Sequence, residues 1–175
     1  SPEILVQSKQ GKVTIRPIAG TRKRGINSSE DLLNKIDLIE DDKEKAEHMM
    51  LVDLARNDLS KVSTVGSVNV DEMMIVEKYS HVMHMTSNVI GQKKDESTAI
   101  DCMKAALPAG TLSGAPKIRA MEILAEQENR ARGVYGGAVG YIGYNQTMDT
   151  AIVIRTALHN DTSVKVGVGA GIVYD

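Results

Sequence analysis

The sequence predicts an α+β fold built on antiparallel strands. Two strands are followed by two helices, then strands, two more helices and three strands, which is not the regular alternation of a doubly wound or barrel fold. Short turn signals join neighbouring strand patterns, as in hairpins. The chain of 175 residues is 42% hydrophobic and 25% charged, enough for one domain with its own core.

The elements follow from period and punctuation. Residues 4–8 are apolar and β-branched, Gln10-Gly11-Lys12 reads as a hairpin turn, and residues 13–18 alternate as the returning strand. Ala19-Gly20-Thr21-Arg22 reads as a small turn closing that strand, and residues 23–27 as a polar, exposed connection. Ser28-Ser29-Glu30-Asp31 has N-cap character, with Leu32, Leu33 and Ile36 following at helical spacing. A second helix is predicted over 42–59, residues 68–70 and 73–76 as strand, and 79–89 as a further strand. Helices are predicted over 95–106 and 117–128. Residues 134–144 read as a Gly-rich strand, 145–148 as a turn, 150–157 as an apolar strand, 159–161 as a turn and 163–173 as a last strand.

Composition narrows the function. The net charge of -2 gives no sign of a nucleic-acid surface, and with Trp and Phe absent only five Tyr could stack on bases. The core must then come from Ile, Val, Leu, Met and Ala. The single cysteine, Cys102, excludes an intrachain disulfide and fits a reducing, cytoplasmic setting. No apolar run reaches membrane-spanning length, and no signal sequence opens the chain.

Several residues invite a chemical reading. The loop Leu107-Pro108-Ala109-Gly110-Thr111-Leu112-Ser113-Gly114-Ala115-Pro116-Lys117 feeds a helix start, with Ser113 and Gly114 near the expected cap. Such a loop either connects two helices or presents N–H groups, the Thr111 hydroxyl and the Lys117 charge to an anion. It lacks Walker A spacing. Glu44 and Glu47 lie one helical turn apart and share a face with Leu51 and Leu54; they are either a solvated helix start or oxygen ligands for a hard cation. His81 and His84 point to opposite faces of a strand, which does not suit joint metal ligation. Arg155 interrupts an apolar strand and needs an anionic partner, with Asp149, Glu122 or a ligand as candidates.

Taken together, Ser1-Pro2-Glu3, Pro17-Ile18-Ala19-Gly20-Thr21-Arg22, Lys43-Glu44-Lys45-Ala46-Glu47-His48, Leu51-Val52-Asp53-Leu54-Ala55-Arg56-Asn57-Asp58, Tyr79-Ser80-His81-Val82-Met83-His84, Pro108 to Lys117 and Gly169-Ala170-Gly171-Ile172-Val173 resemble the chorismate-utilising enzymes, nearly end to end. The wording is most similar to the anthranilate-forming branch. The aminodeoxychorismate branch typically carries a nucleophilic Lys where this chain has Ala19, so the resemblance implies direct attack by ammonia.

The resemblance also implies two stacked, mostly antiparallel sheets flanked by helices, and a set of roles. Glu47 is the implied Mg2+ ligand, with Glu44 bound directly or through water. Glu3 matches the general acid for the departing C4 hydroxyl; a carboxyl in that role must hold a proton, which burial or nearby anions favour. His84 matches the histidine of the later step, in which pyruvate leaves and the ring aromatises. Thr111 matches a hydroxyl beside the ring. Tyr135, Arg155 and the backbone of Gly169 match the grip on the enolpyruvyl carboxylate, Gly171 is a further substrate-binding position, and Gly20 and Thr21 match the side facing the ring carboxylate. The implied partners are chorismate and a glutamine amidotransferase subunit supplying ammonia, with no nucleic acid and no membrane. The resemblance leaves open aminodeoxychorismate, isochorismate and salicylate synthases, and a domain serving only to bind the amidotransferase.

The family pattern continues past Ile172-Val173 with glutamates that would complete the metal site, whereas this chain ends at Tyr174-Asp175. The chain also begins inside a strand pattern. It is therefore expected to be a fragment, residues 1–175 forming part of the catalytic domain, and to be weakly active or inactive alone.

Overall fold

A computed structural model describes residues 3–172. The matched residues Ser1, Pro2 and Val173 lie outside them. The elements run β1 (Ile4–Lys9), β2 (Lys12–Ile15), β3 (Ile18–Lys23), α1 (Ser28–Glu40), α2 (Asp42–Val62), β4 (Asn69–Lys78), β5 (Val82–Gln92), α3 (Ala99–Ala106), α4 (Gly110–Ser113), α5 (Lys117–Gln127), β6 (Ala138–Ile142), β7 (Met148–Ile152), β8 (Ala157–His159) and β9 (Val164–Val166). Strands β1 to β7 form one antiparallel sheet, and β8 and β9 form a second, two-stranded one. The α+β prediction holds, with sheets of unequal size.

Strand β5 organises the large sheet. Its C-terminal part pairs with β2 and its N-terminal part with β3, while β4 runs along its other edge. Strands β2 and β3 are thus consecutive pieces of one edge, broken at Arg16 and Pro17. Strand β1 joins β2 to β7, and β6 lies at the far edge with every residue exposed. Helices α2 and α3 pack on the sheet, and Leu5, Val6, Val13, Val52, Leu59, Val89, Cys102 and Met148 lie in the resulting core. The core is the aliphatic and Met-based one that the lack of Phe and Trp requires. Among the described residues no helix is long and apolar enough to cross a membrane.

Several elements depart from the predicted ones. Residues 19–22 are strand, not turn: Gly20 takes φ +75° and the register with β5 slips between Ala19 and Thr21, so the glycine makes a β-bulge inside β3. Helix α1 is capped by Asn27, one residue before the serines, and the 23–27 connection is not simply exposed, because Arg24 clamps the buried Asp31. Helix α3 starts at Ala99 behind a Thr98–Asp101 capping box. Within the 107–117 loop a short helix forms, and α5 is capped by Pro116 with no side-chain bond, so Ser113 and Gly114 do not cap it. Of the Gly-rich stretch 134–144 only five residues are strand, and the last strand is only Val164–Val166.

Candidate active site

The residues singled out in the sequence gather in three neighbouring groups. The first surrounds Glu3, which directly precedes β1. Its backbone carbonyl accepts from Ile152 at the end of β7, fixing the residue between sheet and helices. Glu3 is 2% exposed. Thr111 on α4 donates its hydroxyl to Oε1 at 2.6 Å, and Arg155 Nη2 lies 3.3 Å from Oε2. The partner of Arg155 is therefore Glu3. Asp149 accepts from Gln7 and Glu122 from Arg119. Arg155 is also not within a strand: β7 stops at Ile152 and Arg155 takes φ +52°, which swings its side chain off the sheet. That guanidinium remains 54% exposed, and its contact with Glu3 among the described residues is a long one. A cleft of about 30 Å3, room for one water, is lined by Glu3, Arg16, Leu54, Asp58 and Thr111.

The second group surrounds His84. Thr21 on β3 and Glu77 on β4 stand opposite His84 on β5, making one row across three strands. His84 Nδ1 lies 2.9 Å from Thr21 Oγ1 and 3.2 Å from the Gly20 carbonyl. A carbonyl only accepts, so Nδ1 carries the proton and Nε2 keeps its lone pair. His81 precedes β5 and contacts Ser80, so the two histidines are separate. Glu44, in the first turn of α2, reaches the same corner. A Cβ on Gly20 would sit 3.3 Å from Glu44 Oε2, so the glycine keeps space open beside the carboxylate.

Glu44 Oε1 accepts from Arg22, whose guanidinium also binds Asp37 and Asp41. Those carboxylates, Asp37 foremost, hold the Arg22 charge firmly. Glu47 is exposed on the next turn. Among the described residues no group of three His, Cys, Asp or Glu converges as a metal cage. Two helix carboxylates beside an open corner nevertheless suit Mg2+, which keeps several waters and takes few protein ligands.

The third group is Tyr135 with the C-terminal glycines. A Cβ at Gly167 would strike the Tyr135 ring at 2.4 Å, and one at Gly169 would lie 2.9 Å from its hydroxyl oxygen, so both glycines let the backbone run against the ring. Gly136 and Gly137 pair with Val153, which brings Tyr135 near the chain segment of Arg155. Gly171 is exposed, with nothing within 4 Å of an added Cβ, and is not drawn into this group.

Of the two readings of the 107–117 loop, Lys117 follows the structural one. Its amine reaches Asp58 Oδ2 at 2.6 Å, and at 11% exposure it ties α5 to α2 rather than facing an anion. Sequence reasoning missed Arg22, the buried His48, whose Nε2 lies 2.6 Å from Ser87 Oγ, and the Tyr79–Glu77–Arg16 contacts. Their signals were present: Arg22 and Tyr79 both fall inside motifs of the resemblance.

The chorismate binding enzyme family model matches residues 1–175. The chain belongs to that family. Curated relatives include anthranilate synthase component 1 of Pseudomonas aeruginosa, 58% identical over the whole chain, and that of Aquifex aeolicus, 55% identical. The chain spans 36% and 35% of their lengths. Among solved structures, anthranilate synthase component I from Streptococcus pneumoniae superposes with a TM-score of 0.81 at 52% identity, over 90% of this chain and 34% of that one. A menaquinone-specific isochorismate synthase from Escherichia coli has a TM-score of 0.78 at 22% identity, over 90% of this chain and 36% of that one, a likeness of fold alone.

Proposed function

We propose that this chain is the central part of an anthranilate synthase, which converts chorismate and ammonia into anthranilate, pyruvate and water. The observation that carries the reading is the pairing of two distinct corners. One holds a buried carboxyl, Glu3, with Thr111 and Arg155; the other holds a tautomer-fixed His84 beside Glu44. Chorismate has two carboxylates, which matches a site with a guanidinium at one end and a cation site at the other.

Chorismate lies with its enolpyruvyl carboxylate on Arg155 and Tyr135. Glu3 then passes its proton to the departing C4 hydroxyl as ammonia adds at C2, and water leaves. Ammonia attacks directly, because the buried Ala19 offers no amine. In the second half His84 Nε2 takes the ring proton as the ring aromatises and pyruvate is expelled. Mg2+ held by Glu47 and Glu44 would neutralise the ring carboxylate. On this reading the reaction runs in the cytoplasm, with ammonia delivered by a glutamine amidotransferase subunit. If further glutamates complete the metal site, as the resemblance implies, the 175 residues alone are weak or inactive.

Product identity tests the reading. Incubation with chorismate, ammonium and Mg2+, followed by chromatography, should give anthranilate and pyruvate in equal amounts from a chain extended to the relatives' length. Isochorismate, salicylate or aminodeoxychorismate as the main product would contradict it.

A further inference from the structure

The His84 imidazole is gripped at one edge by Gly20 and Thr21, and one atom alone does not fix the plane of a ring. The other flank supplies what is missing. Glu77 stands opposite His84 in the β4–β5 register, and its carboxylate is shared. Oε2 accepts from the Tyr79 hydroxyl at 2.7 Å, and Oε1 lies 2.6 Å from Arg16 Nη2, which also reaches Glu72. The Tyr79 ring, held by its hydroxyl, then meets the His84 ring edge-on, with centroids 5.6 Å apart and planes at 61°. Arg16 sits at the break between β2 and β3 and lines the Glu3 cleft, so the chain of contacts runs from the acid's corner to the base's corner.

We infer that Arg16, Glu77 and Tyr79 are positioning residues that lock the plane of the His84 imidazole for the elimination half of the reaction. The inference rests on the role assigned to His84 above. An edge-to-face contact opposes rotation of the imidazole about its bond to the chain, and a base off by a fraction of an ångström loses much of its effect. Burial, and then the Glu77 carboxylate, push the Tyr79 phenol upward, so its hydroxyl remains a donor at neutral pH.

The test separates the two halves of the reaction in the intact enzyme. Chorismate loss and pyruvate release are followed independently, with ammonium and Mg2+ saturating, in wild type, Tyr79→Phe and Tyr79→Leu. The expected result for Tyr79→Leu is a fall of about 10- to 100-fold in pyruvate release. Chorismate loss persists, an aminated intermediate retaining its enolpyruvyl group accumulates, and the chorismate KM is unchanged. Tyr79→Phe keeps the ring and should fall between the two. The 15N resonances of His84 should report the Nδ1–H tautomer in wild type and an averaged one in Tyr79→Leu. Equal loss of both rates, or no loss, with an unchanged tautomer signal overturns the inference. If wild type releases no pyruvate, the functional reading fails, and the 15N comparison still decides whether the relay holds His84.

Discussion

In the proposed reaction Glu3 carries the first half of the chemistry, and its surroundings define what substitution should do. Glu3→Gln keeps an acceptor for the Thr111 hydroxyl and leaves the packing intact, but it cannot deliver a proton. Anthranilate formation should fall by about 100- to 10,000-fold, as expected on removing a general acid, while the thermal melting curve stays in place; a variant retaining most of its turnover would remove Glu3 from that role. His48 shows the same logic for stability. It is fully buried, and desolvation lowers its pKa from 6.5 to about 4. The unfolded chain therefore takes up this proton first as pH falls. The stabilisation associated with neutral His48 is complete above pH 6.5, declines below it and is exhausted near pH 4, a loss of roughly 3 kcal/mol. Urea midpoints measured across this window should show that decline, and a flat profile would mean that His48 titrates normally.

At the scale of elements, α2 is the hub, since it carries Glu44, Glu47, His48 and Asp58. Asp58 receives the Lys117 amine from α5 and the Lys61 amine from its own helix. Asp58→Ala strands the nearly buried Lys117 charge and should cost about 3–5 kcal/mol in urea unfolding; a cost below about 1 kcal/mol would show that the pair is peripheral. Most elements were legible because amphipathic period and caps are local signals. Gly20 misled because a glycine marks a positive φ equally well in a turn or a bulge, and only pairing with β5 separates the two. Arg155 was correctly read as needing a carboxylate, yet its partner lies 152 positions away in the sequence, and no local pattern encodes such a contact. The motifs identified Glu3, Thr111, Gly20, Thr21 and His84, which the fold brings into two corners. The Arg22 contacts join β3 to α1 and α2, and the Tyr79 ring meets His84 across the β4–β5 connection, so neither follows from helical or strand spacing.

For the whole molecule, the chain covers about a third of the length of its relatives, and β6 presents Val139, Tyr141 and Ile142 to solvent. Both corners of the proposed site are nonetheless formed within the described residues, with Glu44 and Glu47 on α2 as the proposed Mg2+ ligands. The proposed site makes anthranilate, and does so with Mg2+. The most direct measurement is anthranilate fluorescence with chorismate, high ammonium and Mg2+, with and without EDTA, for the 175-residue chain and for a chain extended to the relatives' length. Fluorescence from the extended chain that EDTA abolishes, with little or none from the shorter one, is the predicted result. A correctly folded extended chain that consumes no chorismate, or that makes anthranilate equally well in EDTA, would contradict the account.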